Sequence, residues 1–209
     1  MRKKNQIEQF VRSIRRRIFK MKYGQSFPYI YGLLTGVIDN DHRYYYYDEI
    51  DRMVEKFSQD ESRLGENDLV HLPDRKVLYC IYRLVNELQP RKICVLGADV
   101  EIYQNVLASV DTTAVMVSYD EYLKEDLGGD SKGLIFCNGV SHDKLMEVFE
   151  NIHIGDVVIT HGLHWKRCGK IDWPSLVKDS MVTASMESKE MGIGFTDPNF
   201  RKQNFYIKY

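Results

Sequence analysis

Lys92-Ile93-Cys94-Val95-Leu96-Gly97-Ala98-Asp99-Val100-Glu101 decides the fold, because four apolar residues run unbroken into a glycine and a helix-like start. So short and continuous a run suits a strand buried on both faces, as in a parallel sheet covered by helices. Similar runs recur at 114–117, 134–137 and 157–160, separated by helical or loop segments. Three strand-like pieces follow at 182–186, 191–196 and 205–208, with no long helix between the last two, which predicts an antiparallel C-terminal edge.

Working back from Lys92, Val77, Leu78, Ile81, Leu84, Val85 and Leu88 recur at helical spacing and predict a helix over 75–87. Residues 58–74 are polar, contain Gly65 and Pro73, and read as a loop. The run Tyr44 to Tyr47 opens an earlier helix, whose apolar side is marked by Ile50, Met53, Val54 and Phe57. A short helix is expected through Leu33, Leu34, Val37 and Ile38, and the aromatic stretch 23–31 reads as turns. The expected organisation is a helical extension over 1–74 and an α/β domain over 75–209.

The formal charge of -1 hides an asymmetry, since residues 1–22 carry nine cations against Glu8 alone. Ile7, Phe10, Val11, Ile14, Ile18 and Met21 fall on one side of a helix whose other faces are mostly cationic. Such a helix can pack on its own domain, lie on an anionic membrane surface, or dock on an acidic protein, including a second copy in a homo-oligomer. The acids around the tyrosine run (Asp39, Asp41, Asp48, Glu49 and Asp51) argue against a nucleic-acid backbone there and favour packing of the tyrosines. No apolar run reaches the roughly 20 residues of a membrane span, and no secretory core is evident, so the expected location is cytoplasmic or peripheral at the inner membrane surface. The four cysteines show no C-x-x-C spacing and read as reduced.

In an open α/β sheet a ligand sits beyond the carboxyl ends of the strands, which directs attention to the loop after the first strand. A glycine-rich turn there lets a cofactor approach the backbone. Here Gly97 is the only glycine, and Asp99 and Glu101 stand nearby. His161 ends the fourth run and is the candidate general base, with no partner carboxylate evident beside it. His161, His164 and Cys168 are close in sequence, yet no fourth zinc ligand is evident, so no metal site is expected. Cys137 lies in an apolar strand, which disfavours a nucleophilic thiolate.

The stretch Tyr82-Arg83-Leu84-Val85-Asn86 through Gln89-Pro90-Arg91-Lys92-Ile93 resembles the helix and first strand of class I S-adenosylmethionine-dependent methyltransferases of a Bacteroidetes group. Tyr29-Ile30-Tyr31, Tyr44-Tyr45, His164-Trp165, Met191-Gly192-Ile193 and Phe205-Tyr206-Ile207 are similar to that group in the same order. The resemblance implies a Rossmann-like, methyltransferase-type sheet and S-adenosylmethionine as cofactor. It also places departures where the cofactor would be held. Val95 and Glu101 stand where the family has an acid and a second glycine, and Glu101 is expected to be a buried carboxylate obstructing the cofactor's place beside Gly97. The family's ribose-gripping acid falls near Tyr119, with Asp120 as the neighbouring substitute. Asn138-Gly139 replaces an Asp-Gly pair, and His161-Gly162 an acidic pair. If the cofactor is bound, the resemblance assigns it to Gly97, Asp120 and Asn138.

Spacing adds an argument of its own. Between Ser118 and Gly133 there are too few residues for a helix, a strand and a second helix, since a crossover alone takes about a dozen. The sheet is therefore expected to be shortened in the middle. Together these readings predict a methyltransferase-like protein without catalysis, acting as a binding or scaffolding module. The alternative is an active methyltransferase with an unusual pocket.

Overall fold

The computed structural model describes residues 28–40, 42–61, 74–110, 112–124, 132–178 and 181–206. The basic segment 1–22 lies outside the described residues, as does most of the expected loop 58–74.

Among the described residues seven strands form one sheet: β1 (Lys92–Gly97), β2 (Val115–Met116), β3 (Gly133–Asn138), β4 (Val157–His161), β5 (Ala184–Glu187), β6 (Met191–Phe195) and β7 (Gln203–Tyr206). Their order is β2-β1-β3-β4-β6-β5-β7. The chain is thus an α/β protein with a mostly parallel, Rossmann-like sheet. Its inner strands carry alternate residues to two apolar layers, the geometric consequence of a two-residue side-chain period. Ile93, Val95, Leu134, Phe136, Val157 and Ile159 enter one layer, while Cys94, Ile135, Cys137 and Val158 enter the other. Unbroken apolar runs mark these strands because both of their faces are covered.

The antiparallel C-terminal edge expected from sequence needs correction. Among the described strands only β6 is reversed, and it lies inside the sheet, antiparallel to both β4 and β5. The outermost strand, β7, runs parallel to β5. The turn after β5 sets this arrangement: Ser188 N donates to Met191 O at 2.8 Å, reversing the chain so that β6 returns into the slot beside β4. Glycines make that slot usable. A Cβ on Gly192 would lie 2.8 Å from the Trp173 ring, and one on Gly194 would lie 3.0 Å from Phe149. Both aromatic rings therefore rest directly on the β6 backbone.

The first helical layer comprises α1 (Pro28–Gly32), which continues into a π-helical turn Leu33–Ile38, then α2 (Tyr47–Glu61) and α3 (Arg75–Leu88). Residues 28–31, expected as turns, are helical, because Pro28 occupies a first-turn position where its missing N–H costs nothing. Residues 58–61 prolong α2 rather than opening the loop. Asp74 caps α3 by accepting from Lys76 N. Buried Arg83 of α3 holds the layer in place, donating to the carbonyls of Val37 and Ile38, at the carbonyl-rich end of the π-helical turn, and to the Tyr47 hydroxyl. Tyr47 stacks on Tyr79 at 3.9 Å and Tyr46 on Tyr82 at 5.4 Å, so the tyrosine run packs this layer.

The remaining helices are α4 (Val100–Ala108), α5 (Tyr119–Lys124), α6 (His142–Asn151), α7 (Trp173–Lys178) and a 3-10 turn Lys166–Cys168. Between β2 and β3 the described residues hold α5 alone, and among them the sheet ends at β2, which keeps two of the four residues in the predicted run. Val115, 61% exposed, is an unshielded edge residue there. A buried polar chain fixes α5 to the amino ends of the strands. Tyr122 OH donates to Asp156 Oδ2 at 2.7 Å, Gly133 N donates to Oδ1 at 2.7 Å, and Lys92 Nζ donates to Tyr122 O at 2.9 Å. Gly133 is required because a Cβ would sit 2.1 Å from the Tyr122 hydroxyl. Burial and the Asp156 carboxylate together push the Tyr122 phenol far above its ordinary range.

All four cysteines are buried free thiols. Burial pushes the Cys94 thiol up to about 11 and raises Cys137 as well, so neither is a nucleophile at neutral pH. Among the described residues no helix is long and apolar enough to cross a membrane.

Candidate functional site

From β1 the chain moves to β2 on one side of the sheet, then crosses to β3 on the other. The topological switch point therefore lies between the carboxyl ends of β1 and β3, where open α/β sheets part to admit a ligand. Three sequence candidates meet there. Gly97 is the register partner of Asn138, and Asn138 of His161, so they form one row across β1, β3 and β4.

The row is tied together rather than parted. Ala98 N donates to Asn138 O at 2.8 Å, extending the β1–β3 ladder past the end of β1. Asn138 Nδ2 donates to Ala98 O, also at 2.8 Å. Both backbone polar groups of Ala98 are thus held by one residue. Gly97 adopts φ +101, and a Cβ on it would lie 2.1 Å from Asn138 O and 2.8 Å from Val140 Cγ1. The glycine that suggested a cofactor turn serves the approach of the protein's own β3 end. Asp99 follows in the left-handed region at φ 54, ψ 35, and caps α4 without a side-chain hydrogen bond.

Asn138 is fully buried and also faces His161, with its Oδ1 at 2.8 Å from His161 Nδ1. Its Nδ2 donates to a carbonyl, so Oδ1 is the acceptor and His161 carries its proton on Nδ1. Nε2 is then the nitrogen with the lone pair. The orienting partner that sequence reading sought as a carboxylate is a buried amide from the next strand. His161 is itself 4% exposed and meets Trp165 edge-on at 4.6 Å. Gly162, at φ +85, makes room for that indole, since a Cβ would fall 2.6 Å from Trp165 Cε3. Any side chain at position 162 would displace that indole.

Other candidates lie apart from this row. Asp120 is exposed in the first turn of α5, and no hydrogen bond or ion pair described here joins it to Gly97, Asn138 or His161. Tyr119 is packed against α6, its ring beneath the Lys144 ammonium at 4.2 Å and its hydroxyl buried without a partner, with burial raising the phenol to about 12. Glu101, expected to be a buried obstruction beside Gly97, is exposed in the first turn of α4, where the helix dipole favours a carboxylate. Val95 belongs to the apolar layer between the sheet and its helices, a site that would leave an acid uncompensated.

His164 is exposed while Cys168 is buried, and among the described residues no group of three or more His, Cys, Asp or Glu side chains can hold a metal. Sequence reading missed Glu187 at the carboxyl end of β5. Burial raises its carboxyl above the usual range, His164 counteracts this, and Asp172 adds to it. No local motif marks Glu187, because its neighbours come from segments distant in sequence.

No family model matches the chain, and no curated protein or solved structure is similar enough to count as a match.

Proposed function

We infer that this is a methyltransferase-like protein without catalysis, a diverged relative of the Bacteroidetes group its sequence resembles, serving as a binding or scaffolding module. One observation carries the reading: Asn138 bridges the switch point through both polar groups of Ala98, where a nucleoside cofactor would need the β1 and β3 ends to part. Further support comes from the mostly parallel sheet with a reversed strand near its C-terminal end, from Asp120 standing apart from the row, and from Tyr119 being packed away. The scaffold's partner-binding element is then the basic segment 1–22, with an acidic protein surface, a second copy or anionic lipid as its target. Calorimetric titration with S-adenosylmethionine and S-adenosylhomocysteine tests the reading. Binding of either more tightly than about 100 μM, roughly -5.5 kcal/mol, contradicts it.

A second reading has one observation in its favour. The Asn138 amide accepts from His161 Nδ1, which places the lone pair of the neutral imidazole on Nε2, at the crevice end of a strand. An active methyltransferase would use that nitrogen to take a proton from its substrate, with Gly97, Asp120 and Asn138 around S-adenosylmethionine. The same titration separates the two readings.

A further inference from the structure

We propose that Asn138 is a conformational latch, holding the turn from Gly97 to Glu101 closed across the switch point and releasing it as a unit when its side-chain amide lets go. The proposal rests on reading the switch point as a ligand crevice, and it adds how that crevice is controlled.

Three features place the latch here rather than elsewhere along the ladder. The backbone bond from Ala98 N to Asn138 O lies beyond the last residue of β1, where a strand entering a ligand-binding turn would already diverge. Asn138 Nδ2 closes a reciprocal bond onto the carbonyl of the same residue, so a single side chain controls whether the ladder ends at Gly97 or at Ala98. The amide is itself held from behind, since Oδ1 accepts from His161 Nδ1, in a row that is 0% exposed at Asn138 and 4% at His161. Asn138 and His161 are shielded from water whereas Ala98 is partly exposed, so the latch opens from the turn side, with the turn moving as a whole.

The turn it holds is not relaxed. Gly97 at φ +101 is followed by Asp99 at φ 54, a left-handed non-glycine residue at the start of α4. Such a conformation persists where surrounding contacts impose it. The Ala98 bonds fix the residue that precedes it, and in the released arrangement Asp99 can take ordinary backbone values as the first turn of α4 re-forms. The device therefore has two arrangements, latched with Asp99 left-handed and released with the β1 end free of β3.

Asn138→Asp is the discriminating change. It is nearly isosteric and keeps an oxygen facing His161 Nδ1, but it places a carboxylate oxygen against Ala98 O where a donor had been. Hydrogen exchange read by NMR on folded full-length protein should show the Ala98 amide exchanging at least tenfold faster than in the unmutated chain. The amides of Val158 and Ile159 should be unchanged. Unaltered Ala98 exchange in the folded variant overturns the proposal. Should the variant not fold, the unmutated protein decides: the latch requires Ala98 to exchange as slowly as Cys94, which lies on the same β3-facing side of β1, and rapid exchange at Ala98 overturns it. Binding of S-adenosylhomocysteine by the unmutated protein would count against the non-catalytic reading alone, because the latch is judged by exchange.

Discussion

The Asn138 amide oxygen lies 2.8 Å from His161 Nδ1, two side chains from adjacent parallel strands meeting at the same register and at the same buried level. An amide in that place orients the imidazole without adding a charge, and it spends its other end on the Ala98 carbonyl. The carboxyl ends of β1, β3 and β4 are thereby joined into one polar row.

Gly97→Ala should be among the most destabilising single substitutions in the chain. The new Cβ would meet Asn138 O at 2.1 Å in a left-handed backbone, so a loss of roughly 2–4 kcal/mol is expected from strain and displacement of β3. Gly169→Ala supplies the comparison for backbone strain without a clash, because φ is +72 and ψ -167 there but no atom lies within 4 Å, and about 1–3 kcal/mol should be lost, less than at Gly97. Denaturant midpoints of both variants check this. Equal losses would mean that the close approach at Gly97 is absent in solution.

Tyr122→Phe keeps the ring under the Lys92 ammonium but leaves Asp156 Oδ2 without its hydroxyl donor. A buried carboxylate losing one of its hydrogen bonds should cost about 1–3 kcal/mol. A thermal shift within error of the unmutated protein would show the amino-end chain to be dispensable.

Glu187→Gln tests the electrostatics of the β5 end. Burial favours the protonated acid in the folded state, so the folded pKa exceeds the unfolded one and ionisation costs stability. The cost is absent below the unfolded carboxylate range and grows as pH rises through the folded pKa. Glutamine mimics the neutral form, and the variant should gain stability relative to the unmutated protein at pH 7, with the gain fading at pH 4. A variant less stable at pH 7 than at pH 4, relative to the unmutated protein, would reverse the sign.

The strands at 92–97, 133–138 and 157–161 were legible because a run buried on both faces writes itself as continuous apolar sequence. The direction of β6 was not, since Met191-Gly192-Ile193-Gly194-Phe195 reads as a strand whichever way it points, and its slot is set by the turn at Ser188. At the site, Gly97, Asn138 and His161 were each visible as residues at strand ends. Their juxtaposition depended on register between strands far apart in sequence, which no local pattern encodes. Glu101 misled because its chemistry was visible and its exposure was not.

The cationic segment 1–22 should carry the main macromolecular contact. If its target is anionic lipid, vesicle binding should weaken as salt rises, because exposed charges are screened over about 10 Å at 0.1 M. If it is a second copy, deletion of 1–22 should turn a dimer into a monomer in light scattering. A full-length protein that ignores anionic vesicles, with a truncated form of unchanged oligomeric state, would reduce the segment to packing.

Isothermal titration of the full-length protein with S-adenosylhomocysteine tests the central claim most directly, since this product-like ligand needs the cofactor crevice but no methyl acceptor. With Asn138 bridging the β1 and β3 ends, no saturable heat is expected up to about 1 mM ligand, which corresponds to binding weaker than roughly -4.1 kcal/mol. A saturable isotherm with a dissociation constant below about 100 μM would mean that the cofactor site is intact, contrary to the non-catalytic reading.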